Sequence, residues 1–422
     1  MNPVDAWLSD VVRRAGFSDA GEFTRAFNLK PYRVRQLYRA ATKELLGAVD
    51  EVTTLPKDLR TALRERGIAF SAIEPLDIQR SRDGQTTKGL FRLSDGKEVE
   101  AVLMEHFGDR TTVCISSQAG CAFACAFCAT GQGGFNRNLT AGEIFDQAWY
   151  FARALAQRGK RITNIVFMGM GEPFHNYDSV MDAVGLLNDP QGFGLGHRHI
   201  TISTVGLVDK IDAFAGERLQ VNLAISLHAP TDELRSRLMP VNRRFPIAEL
   251  MAACARYVEK TRRKIFFEYV MLAGVNDDAA SARALAALMR GHLYHVNLIP
   301  YNATPDGEFA ATAESRIWQF AKILDDAGVP VTVRQNMGRD IAAACGQLQA
   351  ETQPKAHHVV SSWSEVSESE RSQRAAKNTK RRIAAAPRAF RWSRRPDTLP
   401  TIPHLLPLRN PRCGSRGWSA RG

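Results

Sequence analysis

The stretch Cys114–Gly134, CISSQAGCAFACAFCATGQGG, sets the reading of the whole chain. It holds Cys114, Cys121, Cys125 and Cys128, four of the chain's seven cysteines. Three stand at the spacing C-x₃-C-x₂-C, and the fourth lies seven residues upstream. Thiolates bind soft metals, and a structural zinc site closes with four protein ligands, usually in two pairs. Here the tight set offers three ligands and no obvious second pair. Iron–sulfur clusters accept closely spaced cysteines on a loop. A [4Fe–4S] cluster held by three thiolates leaves one iron open to another molecule. Ala122, Ala124 and Ala126, with Gly120, Gly131, Gly133 and Gly134, keep the loop slim enough to wrap such a group.

Working outward, strand-like runs recur: TTVCIS, NIVFMG, HITIST, VNLAIS, IFFEYVML and HVNLIP. Helix-like stretches separate them, beginning with TAGEIFDQAWYFARALAQRG, where Thr140 and Glu143 form a capping-box pattern. Six β–α units predict an α/β fold with a parallel sheet, open or closed into a barrel, over residues 111–349. A last strand, VPVTVRQN, precedes GRDIAAACGQ. Residues 1–75 show apolar positions at three- and four-residue spacing and are expected to form a helical domain. Residues 76–110 read as a connector of short strands with turns at SRDGQT and SDGKE. Beyond 350 the periodicity stops, and a Ser-, Arg- and Pro-rich tail, 350–422, is expected to be disordered despite Trp363, Trp392 and Trp418.

The net charge of +12 is uneven. Residues 350–422 hold fifteen Lys/Arg against five Asp/Glu, leaving 41 against 39 in the first 349. A general argument from basicity to nucleic acid therefore fails for the folded part and must rest on local patches. The N-terminus lacks a signal-peptide core, and no run reaches the roughly 18 apolar residues of a membrane helix. A cytoplasmic location with no membrane association is expected, where clustered cysteines bind metal or do chemistry more often than they pair.

A second glycine motif, MGMGEP (Met168–Pro173), follows the second strand. Such a turn presents backbone groups around Gly171, and Glu172 can take a positive charge. Ser203, the Ser226–Leu227–His228 run and Asn302 fall at the ends of strands three, four and six, where β–α folds build their sites. Taken singly, each could equally cap a turn. Cys254 sits in an apolar helix pattern and reads as core, and Cys413 lies in the tail. Cys345 by itself would also be read as a structural thiol.

In order, CISSQ, the C-x₃-C-x₂-C loop, GFNRNL, GMGEP, STVG, AISLHAP, EYVML, NLIPYN and ACGQL resemble the RlmN family of radical S-adenosylmethionine RNA methyltransferases, over about residues 10–349. GMGEPF and STVG depart slightly from the family's wording without losing a ligand position. The resemblance implies a partial (β/α)₆ radical-SAM barrel. It implies a [4Fe–4S] cluster on Cys121, Cys125 and Cys128. It implies S-adenosyl-L-methionine bound by Gly171, Glu172, Ser203, Ser226, Leu227, His228 and Asn302. Adenine C2 is electron-poor and does not attack an electrophilic methyl group, whereas a carbon radical adds to it. The implied route methylates Cys345, turns its S-methyl group into a radical that adds to C2, and releases the base through a Cys114–Cys345 disulfide. Glu100 is the implied proton acceptor, with Glu105 competing because the loop to Cys114 needs one inserted residue. The implied partners are 23S rRNA, some tRNAs at the adenosine 3′ of the anticodon, and an electron donor such as flavodoxin, with the enzyme a monomer.

RNA contact is expected from the basic 25–43 segment with its interleaved aromatics, which reads equally as a solvated helix face, and from Arg137, Arg243/Arg244 and Arg262–Lys264. Two competing readings remain: a relative that methylates C8 of the same rRNA adenosine, and a non-catalytic, metal-bound RNA-binding protein.

Overall fold

The computed structural model describes residues 2–303 and 308–349. The expected 350–422 tail, with its tryptophans and Cys413, lies outside the described residues. Helix α1 (Pro3–Arg14) begins where the Asn2 side chain accepts the Val4 N–H at 3.0 Å and Pro3 supplies the first turn. It buries Trp7, Leu8, Val11 and Val12 along one face. Helices α2 (Ala20–Ala26), α3 (Pro31–Thr42) and α4 (Lys57–Glu65) follow. The aromatics interleaved with the basic residues obey helical periodicity. Phe23 and Tyr38 turn into the core, and Tyr32 stays exposed at 46 %.

Strands β1 (Ile73–Arg80), β2 (Thr86–Leu93) and β3 (Glu98–Glu105) are antiparallel and reverse at Gly84 and Gly96, both at positive φ. Rather than a free-standing connector, they are hydrogen-bonded onto β4 (Thr111–Cys114) and extend the main sheet. From β4 onward the neighbours run parallel: β4, then β7 (Asn164–Phe167), β8 (Ile200–Thr204), β9 (Asn222–Ser226), β10 (Ile265–Met271), β11 (Tyr294–Pro300) and the short β12 (Val331–Val333). A separate pair, β5 (Gln118–Gly120) and β6 (Phe135–Asn138), brackets the cysteine loop. Helices α5 (Ala129–Gln132), α6 (Ala141–Ala156), α7 (Tyr177–Asn188), α8 (Val208–Phe214), α9 (Asp232–Leu238), α10 (Ile247–Thr261), α11 (Ala279–Met289) and α12 (Glu314–Asp326) lie between the strands. This is the expected α/β architecture with a partial (β/α)₆ barrel. Its parallel strands read as near-continuous apolar runs because both faces are covered.

The N-terminal helices share the barrel's core. One cluster of buried side chains runs from Trp7 through Phe151 to Leu348. Each such large side chain contributes roughly 1.5–3 kcal/mol when fully buried. Polar contacts fix the docking. Thr140, which caps α6, donates to Asp10 at 2.7 Å, Trp149 Nε1 donates to Ala41 O at 2.7 Å, and Tyr38 OH donates to Asp189 at 2.7 Å. The capping box of Thr140 and Glu143 forms as expected. Among the described residues no helix is long and apolar enough to cross a membrane.

Candidate active site

The cysteine loop leaves the C-terminal end of β4 and is closed by its own backbone. Cys121 N–H donates to Gly134 O at 2.8 Å. A Cβ on Gly120, at φ +79°, would fall 2.1 Å from that same oxygen, so only glycine fits. A Cβ on Gly131 would fall 2.9 Å from the Cys125 backbone nitrogen. Cys121, Cys125 and Cys128 all line one cleft at the C-terminal ends of the strands. Burial pushes the Cys121 thiol up to about 12 and raises Cys125 well above the ordinary value. Such thiols ionise readily only when a metal replaces the proton.

The turn after β7 forms the opposite wall. Gly171 has φ +94°, and a Cβ there would meet the Gln118 side chain at 2.5 Å. The sequence leaves Glu172 free to take a positive charge. In the fold its two oxygens already accept the Phe174 N–H at 2.9 Å and the Val205 N–H at 2.7 Å. Burial nevertheless pushes its carboxyl up to about 7. Ser203 and Ser226 present hydroxyls 3.4 Å apart. Leu227 sits in the core and lends only backbone, its N–H donating to Glu268 O at 3.1 Å. His228, in the left-handed region at φ +59°, accepts the Val270 N–H at Nδ1, so its proton sits on Nε2. Burial pushes its pKa down to about 3, and its ring packs edge-on against Phe127 at 4.7 Å. Asn302 donates to Pro300 O and Asn336 Oδ1, while its own Oδ1 is buried without a partner.

These residues fit a cluster and a charged, hydroxyl-bearing cofactor. Two further polar atoms of residues lining the same cleft, Glu268 Oε2 and Tyr301 OH, are buried and unpartnered. Buried polar atoms normally find partners, so such orphans mark a place for a ligand. Among the described residues no three His, Cys, Asp or Glu side chains converge as a single ion would require.

Cys345 arrives from far along the chain, and hydrogen bonds dock its segment. Ala129 N–H donates to Gly346 O at 2.9 Å, and Thr130 OH donates to Leu348 O at 2.5 Å. Gln349 N–H donates to Glu100 Oε2 at 2.8 Å. Cys345 is open to solvent, whereas Cys114 is buried and pushed up to about 12, by burial first and then by Cys345. Cys345 lines the cysteine-loop cleft and also a second cavity that contains Cys114. Glu100 is buried on β3 and ion-paired with Lys88 at 2.8 Å, with burial raising its pKa against that cation. Glu105 lies at the other end of β3, opposite Thr111, where Arg158 and Lys160 engage it and outweigh burial to hold its pKa low. Only the first of the two carboxylates meets the Cys345 segment.

Sequence reasoning missed Arg334 and Glu268. Arg334 donates to Glu268 at 3.0 Å and lines the same cavity as Cys345 and Cys114. The available signal was a lone charge in each of the apolar strand runs EYVML and VTVRQ, which calls for a partner. Cys254 is a core residue of α10, as expected. Arg137 is spent on Asp95 and Glu143 rather than presented to solvent.

Residues 115–285 match the model of the radical SAM superfamily. A probable dual-specificity RNA methyltransferase RlmN of Chloroflexus aurantiacus is 51% identical over 342 residues, covering 78% of this chain and 90% of that protein. The protein of the same name from Moorella thermoacetica is 45% identical, covering 76% and 91%. The crystal structure of a radical SAM methyltransferase from Sphaerobacter thermophilus superimposes with a TM-score of 0.76 at 50% identity, over 79% of this chain and 97% of that one.

Proposed function

The chain belongs to the RlmN family of the radical SAM superfamily, and from that premise we propose that it methylates C2 of an adenosine in 23S rRNA, and of the adenosine 3′ of the anticodon in some tRNAs, by way of an S-methyl group on Cys345. Cys121, Cys125 and Cys128 would hold a [4Fe–4S] cluster. Gly171, Glu172, Ser203, Ser226, Leu227, His228 and Asn302 would hold S-adenosylmethionine, Leu227 through its backbone. When bound, these groups supply an electrophilic methyl group and hydrogen-atom abstraction, fed by an electron donor such as flavodoxin.

Cys345 takes the methyl group on its sulfur by direct displacement. Loss of one hydrogen atom leaves a carbon radical on that S-methyl group, which forms a C–C bond to C2. Glu100 accepts the proton that C2 gives up; a carboxyl raised by burial is suited to hold it. The adduct, still a radical, would also give back one electron to the bound redox group. The Cys114 thiolate then attacks the Cys345 sulfur, the S–C bond breaks, and the electron pair left on the methylene carbon takes up a proton to complete the methyl group. The methylated base leaves, and a Cys114–Cys345 disulfide remains for an external thiol to reduce.

The observation that carries this reading is the place of Cys345, open both to the cleft of the three cysteines and to the cavity of Cys114. A non-catalytic metal protein has no use for that junction. Arg33, stacked over Tyr32 at 4.9 Å, and exposed Arg35 offer RNA backbone contacts on α3. Mass spectrometry of anaerobically purified wild type and Cys345→Ala tests the proposal. One added methyl group on Cys345, absent from the variant, is expected. A cluster-loaded protein given S-adenosylmethionine whose Cys345 stays bare would defeat it. Digested rRNA then reports C2 or C8 as the methylated position.

A further inference from the structure

Arg334 follows β12 directly, and its backbone N–H continues the parallel ladder by donating to Leu298 O at 2.9 Å. This fixes its Cα at the C-terminal edge of the sheet, beside β11. Its Nη2 donates to Glu268 Oε1 at 3.0 Å, and Asn297 Nδ2 donates to the same oxygen at 2.9 Å. Nη1 lies 3.4 Å from Met168 Sδ. The guanidinium is therefore held between Glu268 on β10 and Met168, just past β7, with Asn297 on β11 bracing Glu268. It lines one cavity with Cys345 and Cys114, and its charge bears on the Cys345 sulfur.

We propose that Arg334, clamped by Glu268, is a positioning residue that holds the Cys345 sulfur as a thiolate facing the cysteine-loop cleft. The proposal rests on Cys345 being the methyl acceptor, and it adds what keeps that sulfur nucleophilic. The thiolate, not the thiol, is the nucleophile. Although Cys345 as a residue is exposed, the protein around it pushes its thiol above the ordinary value, and Arg334 is the cation that opposes this. Glu268 bears on the same sulfur with the opposite sign. The other groups facing this space are Cys114 on β4 and, where the cavity reaches the β3–β4 turn, His106 and Arg110. His106 is engaged by Thr112 Oγ1 at 3.2 Å. Glu100 is paired with Lys88 and reaches this segment only through the Gln349 N–H.

The pair has an internal sign test. Removing Arg334 takes away a cation and disfavours the thiolate. Removing the charge of Glu268 takes away an anion and favours it. Loss of a merely structural ion pair would disturb the site alike from either side. An opposite charge at this range shifts a pKa by about 1–3 units.

The measurement is the rate of iodoacetamide labelling of Cys345 against pH, read by peptide mass spectrometry. It uses the full chain from iron-starved cells, so that the thiol is unmethylated. The variants are Arg334→Gln, Arg334→Lys and Glu268→Gln, each with a thermal melt. Arg334→Gln should raise the labelling midpoint by at least about one pH unit, so that labelling at neutral pH falls roughly tenfold. Arg334→Lys should restore part of the loss, and Glu268→Gln should lower the midpoint. A folded Arg334→Gln with an unmoved midpoint overturns the proposal, and so does a raised midpoint in Glu268→Gln. If Arg334→Gln does not fold, Glu268→Gln decides alone: lowered supports, unchanged or raised overturns. The methyl-acceptor reading fails separately, by a methyl-free Cys345 in cluster-loaded wild type, and the labelling result stands without it.

Discussion

The cysteine loop and the Cys345 segment face the same cleft but are built in different ways. The loop carries its three thiols within eight residues, and its shape comes from its own glycines and the β5–β6 pair around it. The Cys345 segment has little regular structure and is docked on partners more than two hundred residues away in the chain: Ala129, Thr130 and Glu100. A local motif tolerates changes elsewhere in the chain. A docked segment depends on several hydrogen bonds of about 1 kcal/mol each.

The largest effects should separate the two regions. Cys125→Ala is expected to abolish both cluster absorbance and methyl transfer, because two thiolates cannot replace three. Cys345→Ala should abolish methyl transfer with cluster absorbance intact. Loss of the cluster in Cys345→Ala would mean that the two regions are one unit, and the contrast would break. Next in size comes the pair of carboxylates on β3. Glu100→Gln should slow product formation by about 10²–10⁴-fold, the usual worth of a general base. Glu105→Gln should change turnover little and lower thermal stability, since it leaves Arg158 and Lys160 without their anion. Equal kinetic losses would remove Glu100 from its assigned role.

A smaller effect tests the docking itself. Thr130→Val keeps the shape and deletes the bond to Leu348 O. The cost of about 1 kcal/mol should lower the fraction of methylated Cys345 or its rate of formation roughly fivefold, with no change in cluster content. The smallest effect concerns His228, on which the loop leans through Phe127. Its folded pKa, about 3, lies below its ordinary value of 6.5. The unfolded chain therefore binds the proton first. The stability due to neutral His228 is complete above pH 6.5 and is lost as pH falls toward 3. His228→Asn should show a smaller drop in melting temperature between pH 7 and pH 5 than wild type. An equal drop would place the acid sensitivity elsewhere.

Much of this was legible before any coordinates. The strand-like runs alternating with helix-like stretches pointed to the parallel strands, and the capping box at Thr140 was right to the residue. The basic segment 25–43 was less so. Its aromatics looked like a stacking surface, but helical periodicity turns Phe23 and Tyr38 inward. Glu172 was read as a free charge, and tertiary contacts claimed both its oxygens. Arg137, expected to contact RNA, is ion-paired with Asp95 and Glu143 in the fold. These partners were invisible for one reason. A side chain's partner lies outside any sequence window, so its freedom cannot be judged from its neighbours.

The sequence by itself determined the α/β class, the cysteine loop and the order of strand ends that face one cleft, because periodicity, glycine positions and ligand spacing are local properties. Only the tertiary structure decided which carboxylate of β3 meets the Cys345 segment, that Arg334 shares a cavity with Cys345, and that β1–β3 belong to the barrel's sheet. Those choices depend on which distant backbone groups find one another. Hydrogen bonds that close such long loops leave no pattern in the residues they join.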